Sequence, residues 1–198
     1  MKYFKFCALT GLYVVLLVVI YVLHVHNVPV DVVFYSAMFD GVLATVVCLV
    51  LVVVFGWATG FSRFELAQTV GVWLLIGYAF AISVPTVIDR SLSFYILEKL
   101  QQRGGGIKLD AFEQVFTQEY VKEHRLVDVR LTEQQRSGTL TIRNGCVSLT
   151  EWGETIATAS RYFRNHFLPK QRLLMGQYSA DLTDPFRQSV KREDYVCK

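Results

Sequence analysis

The chain has 198 residues, 53% of them hydrophobic and 19% charged, with a net charge of +3. Soluble domains run at about 45–50% apolar and about 25% charged, so an ordinary soluble globule is excluded. A net charge of +3 is also too small to mark a nucleic-acid binder by itself. The average conceals two unlike halves. Residues 1–88 hold three cations (Lys2, Lys5, Arg63) and three anions (Asp31, Asp40, Glu65), and every other charged residue follows them.

Three apolar stretches fill the first half: Phe6–Leu23, Gly41–Trp57 and Leu66–Ile88. Each is close to the roughly 20 residues that cross about 30 Å of hydrocarbon as a helix. In that medium every backbone polar group must be satisfied within the chain, which selects helices even for valine-rich segments. The first stretch has the basic start of a signal peptide, but its core is long. No small-x-small cleavage site precedes His24, so it is read as a span.

Residues 24–40 read as an apolar connector. Phe34, Tyr35 and Phe39 suit the interfacial belt, and Asp40 is expected at headgroup level. The second connector, Ala58 to Glu65, is brief and predicts an antiparallel hairpin of the second and third spans. Gly56, Gly71 and Gly77 would let helices approach closely. Positive charges near the spans balance between the two orientations: Lys2, Lys5 and Arg63 at one face, Arg90, Lys99 and Arg103 at the other.

A polar module follows from residue 89. Ser91 or Asp89 caps a predicted helix to about Arg103, with Leu92, Ile96, Leu97 and Leu100 on one face. Gly104-Gly105-Gly106 stops it; the triplet lacks the strand and the Lys-Ser/Thr of a nucleotide loop. Asp110-x-x-Glu113 is a capping box opening a second helix, with Phe112, Val115, Phe116 and Tyr120 at core spacing. A third covers Val127 to Arg136, with Val127 and Leu131 inward. Leu140 to Leu149 is a hairpin turning at Asn144-Gly145. Thr150 caps a last helix to Phe167, with Ile156, Ala159, Phe163 and Phe167 inward, and Pro169 ends it. Residues 168–198 read as an irregular tail, with Asp184-Pro185 a turn signal and Leu173, Leu174, Phe186 and Tyr195 laid on the domain.

The segment RLTEQQRSGTLTIRNGCVSLTEWGETIA, 130–157, resembles the winged helix-turn-helix family. Leu149, Thr150 and Gly153 form its LT-x-x-G turn into the final helix. The resemblance covers about 91–167, under half the chain. It implies a mainly α protein: three transmembrane helices, then a winged-helix-like α+β domain over 89–167. The helix at 127–137 would enter a groove and the 143–146 turn would be the wing. Arg130, Gln134, Arg136, Arg143 and Asn144 would meet nucleic acid or a partner. Asp128 and Glu133 interrupt that basic surface, which argues against DNA. Winged helices also serve as intracellular docking modules, which implies a cytoplasmic C-terminal domain on a bacterial inner membrane.

No catalytic, cofactor or metal site is expected. His24-x-His26 lacks a third ligand nearby, and His124 and His166 are isolated. The cysteines form no C-x-x-C. Cys7 and Cys48 are small apolar residues of the spans. Cys146 and Cys197 would pair only in an oxidising compartment and are expected as free thiols. No Gly/Ser-rich tether separates Ile88 from Ser91, so the module should be mounted directly on the third span, with Arg90 and Lys99 within reach of anionic headgroups. The reading is a non-enzymatic accessory or scaffolding subunit of a membrane complex, partnered by another membrane protein or a second copy. The alternative is a membrane-tethered DNA-binding regulator.

Overall fold

The computed structural model describes residues 2–182. Three helices are long and apolar enough to cross a membrane: Lys2–Asn27, Val33–Val54 and the bent span Arg63–Arg90. The chain divides into two compact units, Met1–Tyr120 and Val121–Lys198.

In the first unit, α1 (Lys2–Asn27), α2 (Val33–Val54) and α3 (Arg63–Ser83) pack against one another. The α2–α3 turn is the expected hairpin. Ser62 caps α3 through a reciprocal capping box with Glu65, which also binds Lys2 at 3.0 Å. Lys5 donates to the Thr59 carbonyl in the same turn, so the start of α1 is fixed beside it. The centre of the bundle is a stacked pair, Tyr13 on Trp73, with ring centroids 5.5 Å apart. Leu9, Leu17, Ala44, Cys48 and Val52 close around it. Trp73 Nε1 donates to Thr10 Oγ1, and the Tyr13 hydroxyl donates to the Gly41 carbonyl, so both polar edges have partners.

The close helix approach is at Gly77, as expected, but its partner is Gly41. A Cβ added at Gly77 would lie 3.1 Å from Gly41 Cα and 2.7 Å from the Tyr13 hydroxyl. Gly56 and Gly71 have nothing within 4 Å, so neither makes such a contact.

One expectation is corrected here. Residues 24–40 are not a connector, since α1 continues to Asn27 and α2 begins at Val33. The helix starts earlier because Asp40 finds a partner inside the bundle and need not mark its edge. The compact first unit runs on to Tyr120. Pro85 opens a short helix, α4 (Pro85–Arg90), after a bend at Val84, where the ring can take a first-turn position. Ser91 then breaks the chain for one residue and caps α5 (Leu92–Gln102). No tether intervenes, so the directly mounted part is α5 and what packs on it.

An irregular helical stretch follows: a 3₁₀ turn (Leu109–Ala111), α6 (Phe112–Gln114), a π turn (Val115–Tyr120), which packs on α5, and α7 (Val121–Glu123), with which the second unit begins. Asp110 makes no cap, so the predicted capping box does not form. The π turn shifts the register. Tyr120 is buried against Tyr95 at 4.6 Å and Phe116 at 5.0 Å. The inward face of α5 is therefore Tyr95 and Lys99, and the expected Leu97 is exposed.

In the second unit, α8 (Leu126–Arg136) ends at Gly138, whose φ of 73° needs no Cβ. Strands β1 (Leu140–Arg143) and β2 (Cys146–Leu149) pair antiparallel, with Leu140 opposite Leu149. Asn144 and Gly145 both have positive φ, as the predicted type I′ turn demands. Helix α9 (Glu151–Phe167) follows. The tail is not wholly irregular: β3 (Arg172–Leu174) and β4 (Gln177–Ser179) form a second hairpin, turning at Met175 and Gly176, again both at positive φ. Asp184-Pro185, Phe186 and Tyr195 lie outside the described residues.

The LT-x-x-G motif acquires a physical meaning. Thr150 Oγ1 accepts from the Gly153 amide, capping α9, and donates to the Gly138 carbonyl at 2.7 Å. A Cβ at Gly153 would lie 1.9 Å from the Thr139 carbonyl oxygen, so only glycine lets α9 start so close to the hairpin. Beyond this junction the expected core does not close. Val127, Ile156, Phe163 and Phe167 are all exposed.

Candidate functional site

Two places gather functional side chains, one in each unit. The first is a polar pair inside the membrane bundle. Asp40 sits in the second turn of α2, and its side chain is completely buried. His24, one turn from the end of α1, places Nδ1 2.6 Å from Asp40 Oδ1. Ser36 Oγ lies 3.4 Å from the same nitrogen. The second carboxylate oxygen, Oδ2, is buried and has no hydrogen-bond partner. Thr86 Oγ1, on α4, is likewise buried and unpartnered. Helix α4 packs on α2 at this end of the bundle.

Asp40 stands seven residues, about 10 Å, from the start of α2, and its neighbour Gly41 packs on Gly77. The sequence separates His24 from Asp40 by a proline and an apparent connector, so neither hydropathy nor spacing pairs them. The signal that could have found them is an acid and a histidine flanking one short turn between two spans. His26 takes no part; it bonds the Val22 carbonyl within α1. Among the described residues, no group of three or more His, Cys, Asp or Glu could hold a metal.

The second place is the surface of the second unit. Of the predicted contact residues, Gln134, Arg136, Arg143 and Asn144 are exposed and Arg130 is half-buried. They belong to one unit, but the basic surface is partly neutralised within itself. Arg130 is paired with Glu133 at 2.9 Å and Arg125 with Asp128 at 2.7 Å. The Gln134 side chain accepts from Thr139 Oγ1. What dominates instead is apolar. Trp152, Ile156, Phe163 and Phe167 recur along one side of α9 and are 56%, 43%, 55% and 64% exposed.

The expected lipid contacts divide. Arg90 lies 4.0 Å from Asp89 at the end of α4. Lys99 is not presented to headgroups. It is 5% exposed, beneath the Tyr95 ring, and its ammonium is 2.8 Å from Glu119. Arg103 joins Glu119 at 2.9 Å. The Lys99 ammonium, hydrogen-bonded to Glu119, and the Arg103 guanidinium beside it hold that carboxyl below the usual glutamate range.

Cys7 and Cys48 are free. Cys146 is disulfide-bonded, which corrects the free thiol expected there; Cys197 lies outside the described residues.

These elements define a class: a three-span membrane protein with an extramembrane unit that leaves an apolar helix face uncovered. No family model, curated protein or solved structure matches the chain.

Proposed function

We propose that the chain is an accessory or scaffolding subunit of a membrane complex, and that α9 is where its partner docks. The partner is the extramembrane part of another membrane protein. The observation that carries this reading is the uncovered face of α9. A 17-residue helix is marginal on its own in water. Burying an aromatic or branched side chain contributes about 1.5–3 kcal/mol relative to exposure, so this face is stabilised by whatever covers it. Trp and Phe are the residues that anchor protein interfaces. Anchoring in a bilayer confines the search to proteins of the same membrane.

The DNA-binding alternative draws less support. Each acid paired to an arginine removes a cation from phosphate neutralisation, and Arg125 and Arg130 are both paired. The compartment argues the same way. Disulfides persist in oxidising surroundings and are reduced in the cytoplasm. The disulfide at Cys146 therefore favours the non-cytoplasmic face for the second unit, against the cytoplasmic placement that the winged-helix resemblance implies. A reporter enzyme fused after Lys198 and active only in the cytoplasm would restore that placement.

The docking reading is tested by affinity capture of the full chain from mild detergent, wild type against Phe163→Asp. A membrane protein that co-purifies with the wild type and is lost from the variant supports it. Recovery of the chain alone, or of the same companions with both forms, sinks it.

A further inference from the structure

We propose that His24 and Asp40 form a proton-binding site within the bilayer, holding one exchangeable proton that keeps α1 closed on α2. The argument starts from the carboxylate. Asp40 is completely buried, with Oδ1 on the His24 ring and Oδ2 on nothing. An ionised carboxylate so placed costs several kcal/mol unless its charge is balanced. With a neutral imidazole the pair carries one net negative charge in a medium that does not solvate it. With one added proton the pair is neutral, whether that proton rests on nitrogen or oxygen. The 2.6 Å separation is that of a charge-assisted hydrogen bond.

The proton has a way in. The His24 side chain is 20% exposed where that of Asp40 is not exposed at all, so the imidazole is the member through which a proton would reach the pair. It stands three residues from the end of α1, within about 5 Å of the Asn27 end of the helix. The reaction balances simply: the imidazolium–carboxylate pair loses one proton from the ring to water and leaves imidazole and carboxylate.

Other groups frame the site on each element packed against it. On α1 they are His24 itself and Tyr21, three residues before it. On α2, Ser36 lies against the ring. Asp31 stands in the α1–α2 turn, and on α4 Asp89 and Arg90 stand 4.0 Å apart. Losing the proton strands a negative charge between α1 and α2, and relief comes from parting the helices toward water. A structural ion pair would fix the helices without titrating. This site makes their contact depend on the pH at the α1–α2 turn.

The chain has four histidines, which makes a clean test available. In full-length protein held in lipid nanodiscs, with His26, His124 and His166 changed to Gln, the His24 ring is followed by ¹⁵N NMR against pH. One reversible protonation step is expected, and Asp40→Asn should move its midpoint, since it replaces the carboxylate that is the ring's hydrogen-bond partner. In parallel, resistance of the otherwise wild-type chain to SDS should fall as pH rises through that midpoint. That dependence should vanish in His24→Gln. A ring that stays in one state from about pH 5 to about pH 9, around its ordinary value, overturns the proposal. So does a midpoint that Asp40→Asn leaves in place. The NMR measurement on the intact pair needs no variant that disturbs the bundle's packing.

Discussion

Adding one methyl group at Gly77 should cost the bundle more than any other single methyl in its third span. Gly77 meets Gly41 where α2 and α3 cross, and the added Cβ would stand 3.1 Å from the Gly41 backbone and 2.7 Å from the Tyr13 hydroxyl. Tyr13 cannot swing aside, because its ring is fully buried and stacked on Trp73 with an interplanar angle of 4°. Overpacking of this kind costs about 1–3 kcal/mol. Displacing the hydroxyl also loosens its 3.4 Å bond to the Gly41 carbonyl, which at that length contributes about 0.5 kcal/mol. Gly71→Ala is the control. It lies in the same helix with nothing within 4 Å, so its methyl costs nothing in packing and gains up to about 1 kcal/mol of helix propensity. Gly77→Ala gains the same helix propensity, so the two alanines should differ by the packing and hydrogen-bond costs alone, about 1.5–3.5 kcal/mol, in SDS unfolding of the full chain from mixed micelles. Tyr13→Phe removes the atom in the way. The pair Tyr13→Phe and Gly77→Ala should show at least about 1 kcal/mol of favourable coupling in a double-mutant cycle. Equal midpoints for Gly71→Ala and Gly77→Ala would refute the crossing-point argument, and absent coupling would remove Tyr13 from it.

The remaining predictions concern the extramembrane parts. In the second unit, Thr150→Ala should cost about 1 kcal/mol as a lost helix cap. Gly153→Ala should cost about 3 kcal/mol or more, because its clash is with backbone. Both are read as faster amide exchange at the start of α9 in the full chain, and equal effects would contradict the junction. The full chain should not retard duplex DNA at low salt; a retardation abolished by Arg130→Ala would bring back the nucleic-acid reading. The Glu119 carboxyl is depressed in the fold, so its contribution is fully present above the ordinary glutamate value, about pH 4.5, and is lost as pH falls through the lower folded value. Glu119→Gln should flatten the acid limb of the stability curve around α5, and an unchanged limb would assign it to other carboxyls.

Much of the membrane half was legible, because length and hydropathy are local and additive. The three spans, the tight α2–α3 hairpin and the role of Gly77 all follow from residue types in order. The start of α2 was not legible, for a specific reason. An aspartate reads as a helix boundary at a membrane until something neutralises it, and what neutralises Asp40 is His24, a full connector away. The same limit hid Glu119. Lys99 looks like a headgroup ligand on α5 until the π turn brings Glu119 to it, where Arg103 also pairs. The predicted capping box failed because the chain enters this stretch as a 3₁₀ turn at Leu109–Ala111, with Asp110 inside it and not at its cap. The second hairpin escaped because Met175 is an unlikely residue for a left-handed turn position, and only Gly176 hinted at it.

The second unit separates two things that a motif is often taken to carry together. Thr150 and Gly153 encode a junction, a capped helix start pressed against a hairpin, and that junction forms as the residues dictate. It involves a handful of atoms within fifteen residues of one another. A winged-helix core requires much more: three helices must bury their apolar faces on each other and on the hairpin. Here Phe163 and Phe167 had the right spacing for that core and remain exposed. Periodicity established that α9 has an apolar face, and nothing in it specified what the face would meet. An uncovered aromatic stripe costs solubility and helix stability unless something binds it, whereas a buried one needs no partner. The failure of the expected core is thus the main physical reason for proposing that α9 docks a partner.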